Sequence, residues 1–185
     1  MKRVFSPERL DIAGFADANA RLAGRDPLSS YVRLSAEAAQ SSAAPPVLPA
    51  VQWEAAGESR QDSAGRAEPW VHLFTEAVVP LVCQRCLGAV EVPLEVDRWF
   101  RFVADEETAA TLDEEAEEDV LVVSREFDLH ALIEDELLMS LPVTPLHDVC
   151  PQVLPSSVAD ATFDEADVQK PNPFAALEKL RRNKG

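Results

Sequence analysis

From Val71 to Leu81 every second position is apolar or small, through Val71, Leu73, Thr75, Ala77, Val79 and Leu81. That period of two predicts a strand, Trp70 to Val82, with one face toward a core. The rhythm returns after a short gap. Val90, Val92, Leu94, Val96, Phe100 and Phe102 share one parity while Glu91, Glu95, Asp97 and Arg101 hold the other, which predicts a second strand, to Val103, with one buried and one wet face. With residues 83–88 as the reversal, the two strands form a long hairpin. Pro80 and Pro93 each lack a ladder donor and so belong at edges or bulges.

Between Asp128 and Leu141 the period changes to that of a helix. Leu129, Leu132, Ile133, Leu137 and Leu141 make a wide apolar stripe. Asp128 supplies an N-cap, Phe127 and Leu132 a hydrophobic staple, and Pro142 the stop. Glu136 falls inside the stripe, where a carboxylate either snorkels at the helix end or pairs with a cation such as Arg85; pairing is preferred. The other elements are shorter. Ser6-Pro7-Glu8 predicts a helix start running to about Arg21, Gly24 and Asp26-Pro27 punctuate Leu22 to Pro27, and Leu28 to Ala39 reads as a second helical piece. Ser41 to Pro49, with three prolines, reads as a linker, Ala50 to Ala56 as a strand, Gly57–Glu68 as a polar loop and Val120 to Val123 as a short strand. Together these predict an α+β fold: an antiparallel sheet built on the Val71–Val103 hairpin and packed by the 14-residue helix Asp128–Leu141.

Charge changes the picture at two places. The net charge is −16, and nine of the carboxylates lie between Asp105 and Asp119, so residues 104–119 are expected to be a disordered acidic loop. Such a chain is repelled by phosphate unless its basic groups gather on one face, and a basic protein is its easier electrostatic match. Basic groups do gather at the end, where Lys170, Lys179, Arg181, Arg182 and Lys184 oppose Glu178 alone. Residues 1–165 are therefore read as a single domain, and 166–185 as a flexible C-terminal tail. That tail carries a short amphipathic basic helix on Phe174, Leu177 and Leu180. No run approaches the roughly 20 apolar residues of a membrane span, and the first residues lack the apolar core of a signal peptide. With an odd number of cysteines, the expectation is a cytoplasmic protein with no membrane contact.

Three cysteines and one histidine carry the candidate chemistry. Cys83-Gln84-Arg85-Cys86 is a C-x2-C turn between strands, and His147 and Cys150 follow about sixty residues later. That is the number and type of ligands a tetrahedral zinc site requires. A redox couple is the second reading, although such couples sit at a helix N-terminus; strand flanks predict an ordinary thiol pKa. Thiols packed as small apolar groups without metal are the third. His72 and His130 are read as structural. No glycine-rich phosphate loop or local nucleophile motif is present, and no small-molecule substrate is expected.

Four segments in order resemble the YceD family of large-subunit ribosomal RNA accumulation proteins. They are Cys83-Gln84-Arg85-Cys86-Leu87, Glu126-Phe127-Asp128-Leu129-His130-Ala131-Leu132-Ile133-Glu134-Asp135-Glu136-Leu137-Leu138, Leu141-Pro142-Val143-Thr144-Pro145-Leu146-His147-Asp148, and Lys170-Pro171-Asn172-Pro173-Phe174-Ala175-Ala176-Leu177. The resemblance implies a non-enzymatic, cytoplasmic factor needed for accumulation of the large ribosomal RNA and supplies no mechanism; the expected mode of action is binding that RNA or a basic ribosomal or assembly protein. Alternatives are a C-x2-C redox enzyme and an acidic chaperone for a basic ribosomal protein. Many relatives carry two C-x-x-C pairs; here the second is reduced to Cys150, with His147 as the substitute. Cys83, Cys86, His147 and Cys150 are thus the expected metal ligands, with zinc as the cofactor. Arg85, Lys179, Arg181, Arg182 and Lys184 are the expected partner contacts.

Overall fold

The alternation of Val71 to Leu81 is realised as burial: in the computed structural model, which describes residues 4–39, 49–62, 65–113 and 116–152, all six of those side chains lie inside. They belong to β3 (Ala67–Val82), and β4 (Ala89–Val103) returns antiparallel with Val71 opposite Phe100, Thr75 opposite Val96 and Val79 opposite Val92. Leu94, Val96, Phe100 and Phe102 of β4 complete the same buried face. The expected hairpin is therefore the centre of a five-stranded sheet of order β1–β2–β3–β4–β5, in an α+β arrangement.

β2 (Ala50–Gln61) is longer than its apolar part, because Gln61 still pairs with Ala67 across a turn that carries Gly65 at φ 77°. The polar loop expected over Gly57–Glu68 thus shrinks to the few residues of that turn, since ladder bonds to β3 hold the polar positions extended. Outside β2 lies β1 (Arg21–Pro27), where the sequence reads as punctuation. Gly24 is not a turn residue there. It faces Trp53, and a Cβ on it would come 2.5 Å from the indole, so it serves a close approach between strands.

The N-terminal helix is also interrupted. A short 3-10 turn at Pro7–Arg9 ends where Leu10 exchanges backbone hydrogen bonds with Phe127, and only then does α1 (Ile12–Asp17) begin, with the Asp11 carboxylate accepting the Gly14 N–H. α2 (Val32–Glu37) falls within the second helical piece and is capped at a distance, the Glu134 carboxylate accepting the N–H groups of Arg33 and Leu34.

The acidic stretch holds more order than its composition suggests. α3 (Glu106–Asp113) occupies half of it, with Asp105 accepting the Thr108 N–H and with Glu106 and Glu107 at the positive end of the helix. Ala109 packs with Val103 and Val120. α3 leads into β5 (Asp119–Val122), which pairs parallel to β4, so the sheet is mostly rather than wholly antiparallel. α4 (Leu129–Met139) is capped by Asp128 through the Ala131 N–H and buries Leu129, Ile133 and Leu137 completely. Glu136 is buried as expected, but its partner is Arg98 on β4 at 3.1 Å, not Arg85.

Half of the hairpin has no neighbouring strand among the described residues. β2 first meets β3 at Gln52–Glu76, and β5 first meets β4 at Asp119–Phe100, so beyond those points, among the described residues, β3 and β4 pair only with each other. Pro80 and Pro93 both lie in this half, and the Ala39 N–H bonds the Pro80 carbonyl. The prolines sit locally at edges, as their missing donors require. The Ser41–Pro49 linker is described only at Pro49. The boundary at 165 and the basic helix of the tail lie outside the described residues.

Candidate metal centre

The hairpin ends in a closed knuckle. The Cys83 N–H bonds the Gly88 carbonyl and the Leu87 N–H bonds the Cys83 carbonyl, both at 2.9 Å. Closing so tightly puts Leu87 at φ 58°, a left-handed conformation that a leucine rarely adopts. The chain leaving α4 is tied to this knuckle at three points. The Gln84 N–H bonds the Pro145 carbonyl, the Arg85 guanidinium bonds the His147 carbonyl, and His147 Nε2 lies 2.9 Å from the Ala89 carbonyl. These ties bring two remote donors to the two local ones.

The Cys83 and Cys150 sulfurs are 4.0 Å apart, and Cys86 Sγ is 3.4 Å from His147 Nδ1. All four ligand atoms lie within 4.8 Å of one another, with Cys83 buried and the other three half-buried. A tetrahedron with metal–sulfur bonds of about 2.3 Å has edges of about 3.8 Å, so the donors stand close to the separations that one ion needs. The three thiols are free rather than joined.

Ala89 settles the histidine tautomer. A carbonyl only accepts, so Nε2 carries a proton, and in the neutral ring Nδ1 is the nitrogen that presents a lone pair toward Cys86. Fixing one ring nitrogen so that the other is available is what a metal-ligating histidine needs from its surroundings. The donor set, Cys3His with an oriented imidazole, could hold a metal ion.

Cys83 differs from the ordinary thiol expected of strand flanks. Burial pushes its pKa up, but the backbone N–H groups of Cys86, His147 and Arg85 and the His147 side chain outweigh that and bring it to about 5. The tight knuckle does here what a helix N-terminus does elsewhere, by aiming N–H groups at the sulfur. Cys150 goes the other way, to about 11, because burial and its thiol neighbours Cys86 and Cys83 disfavour a second negative charge, against a smaller pull from Arg85.

The remaining expected residues divide. Arg85 is exposed at the knuckle and holds the His147 carbonyl, whereas Lys179, Arg181, Arg182 and Lys184 lie outside the described residues. His72 stacks on Trp99 and meets Asp97, and His130 packs edge-on against Tyr31 and Trp53.

Residues 71–181, which include all four donors, match the family model described as large ribosomal RNA subunit accumulation protein YceD. The chain belongs to this family. A curated YceD protein from Haemophilus influenzae, carrying that same description, is 34% identical over 106 residues, 56% of this chain and 60% of the relative's own length. No solved structure matches. Among the described residues no helix is long and apolar enough to cross a membrane.

Proposed function

We propose that this chain supports accumulation of the large ribosomal RNA as a non-enzymatic binding factor of ribosome assembly, with zinc in the Cys83, Cys86, His147 and Cys150 site fixing the turn of the hairpin to the chain that leaves α4. The observation that carries the role is the match to the YceD family across residues 71–181. The zinc rests on the convergence of four donors around an oriented His147. In this reading the ion is structural, because four protein ligands complete its tetrahedron and leave no open position for a reacting group. Its contact is with the RNA or with a basic ribosomal or assembly protein, and its place of action is the cytoplasm.

The test is a strain lacking the protein. Large-subunit RNA is expected to fall relative to small-subunit RNA, with restoration by the wild-type chain and not by a Cys83→Ser, Cys150→Ser double variant. An unchanged ratio in the deletion strain rejects the role. The redox reading has one observation in its favour, the acidic Cys83 thiol, which suits a metal-bound thiolate equally. Thiol–disulfide exchange assays on the purified protein are expected to show no turnover, and steady turnover would restore the enzyme reading.

A further inference from the structure

Four aromatic rings lie on the wet side of the sheet. Trp70, His72 and Phe74 occupy the outward parity of β3, and Trp99 stands opposite His72 on β4. None of them belongs to the core. The two indoles meet edge to face with centroids 6.5 Å apart, and the Arg60 guanidinium lies 4.3 Å from one ring centre and 4.0 Å from the other. Indole faces attract cations through their quadrupoles, and a guanidinium shared by two is the strong form of that contact.

Beside the stack opens a cavity of about 380 Å³, within the range of roughly 300–1,000 Å³ typical of clefts that take small groups. Its lining includes Asp97, Glu117, Glu118 and Asp119 with Arg60 and Arg98, and a third guanidinium, that of Arg101, lies 5.9 Å from the Trp70 ring centre and 3.9 Å from Glu118, so the carboxylates still outnumber the guanidiniums. Aromatic walls with an excess of negative charge select a cation and repel phosphate. Among the described residues the Trp70 indole N–H has no acceptor, a place that a backbone carbonyl of a docked peptide, rather than its cationic side chain, would fill.

We infer that Trp70 and Trp99, with the carboxylate rim beside them, form a docking seat for an arginine or lysine side chain on a basic polypeptide segment. Arg60, the penultimate residue of β2 and ion-paired to Glu58 at 3.1 Å, is the resident cation that marks the geometry and that a partner's cation replaces. The seat deepens the proposed role, on which it rests for the kind of partner, a basic ribosomal or assembly protein. The seat itself rests only on the sheet.

The experiment uses the full chain and a labelled peptide of alternating arginine and glycine, followed by fluorescence anisotropy at physiological salt. Trp99→Leu and Trp70→Leu remove a π face while keeping the charge, and each is expected to weaken binding about fivefold. Trp99→Phe restores most of it, which separates a lost ring from a damaged fold. Arg60→Gln, by vacating the seat, tightens binding. Equal affinity of the leucine variants and the wild type would overturn the proposal, since the acidic field alone would then explain attraction. Tighter binding of a single-stranded oligouridine than of the peptide, lost in Trp99→Leu, would also overturn it and make the face a base-stacking platform. Either failure leaves the RNA ratio of the deletion strain unaffected, so seat and role fail separately.

Discussion

Arg98 and Glu136 are each the charged exception on an otherwise apolar face, and they are bound to each other. Glu136 interrupts the stripe of α4 and is buried, and Arg98 interrupts the inward parity of β4 between Val96 and Phe100; their side chains meet at 3.1 Å. Arg98 also reaches Asp119 at 3.1 Å, so one guanidinium joins α4, β4 and β5. Arg98→Ala strands the carboxylate. Removing one partner of a fully buried pair costs about 3–5 kcal/mol, but 45% of the Arg98 side chain is exposed, so solvent reduces the expected loss to about 1–3 kcal/mol. Urea unfolding reads it directly, and a variant with the wild-type midpoint would show that water serves Glu136 as well as Arg98 does.

Protein purified without chelator is expected to hold about one zinc per chain, with an X-ray absorption edge fitting three sulfurs at about 2.3 Å and one nitrogen at about 2.0–2.1 Å. Cys83→Ser should lose the metal and lower the melting temperature together. Metal-free native protein whose melting curve is indifferent to that substitution would end the zinc assignment.

The metal-stripped protein should show an unusual alkaline optimum. Cys83 is depressed to about 5 from an ordinary thiol value of 9.0, so the unfolded chain binds the extra proton between those values and stability rises as pH climbs through that window. Cys150 is raised to about 11 from 9.0; its contribution is complete below pH 9 and is lost as pH rises through 11. The melting temperature of stripped protein is therefore expected to rise from pH 5 to 9 and then decline. In Cys83→Ala the rising limb attributable to this thiol disappears, and an identical rise in that variant would remove Cys83 as its source.

Gly57→Ala tests the packing of α1 on the sheet. A Cβ at this position would lie 2.7 Å from both the Phe15 carbonyl oxygen and its ring, and backbone cannot step aside as a flexible side chain can. Overpacking of this kind costs about 1–3 kcal/mol. A thermal shift in that range, with the metal retained, is the expected outcome; an unshifted melt would mean that α1 gives way.

The hairpin was legible because β3 and β4 alternate over more than ten residues, long enough for period alone to set the buried face. β1 was not, since Gly24 reads locally as a turn and its real reason, the Trp53 indole, lies on another strand. Charge hid α3, whose Ala109 finds Val103 and Val120 only once the chain has folded. The four candidate donors were named from residue types and spacing, and the fold brings them together. The group that orients His147 did not show, because the Ala89 carbonyl is backbone and leaves no mark in residue type. The Glu136 partner did leave one: Arg98 on an inward parity is a better candidate than Arg85 in a turn. Trp70, His72 and Phe74 on the polar parity of β3 were likewise visible as aromatics where water was expected.

The unaccompanied half of the hairpin bears on how this protein behaves at high concentration. Two paired strands with open flanks are a template on which another chain can add a strand and begin a fibre or a swapped dimer. Pro80 and Pro93 interrupt the donor rows of β3 and β4 there, and the Ala39 N–H already occupies the Pro80 carbonyl. A foreign strand would therefore find neither a continuous row of donors nor a free acceptor at that position. The prolines cost the hairpin little, because no strand among the described residues pairs with that stretch of β3 or β4, and they interrupt the edge along which the apolar alternation would otherwise recruit another chain.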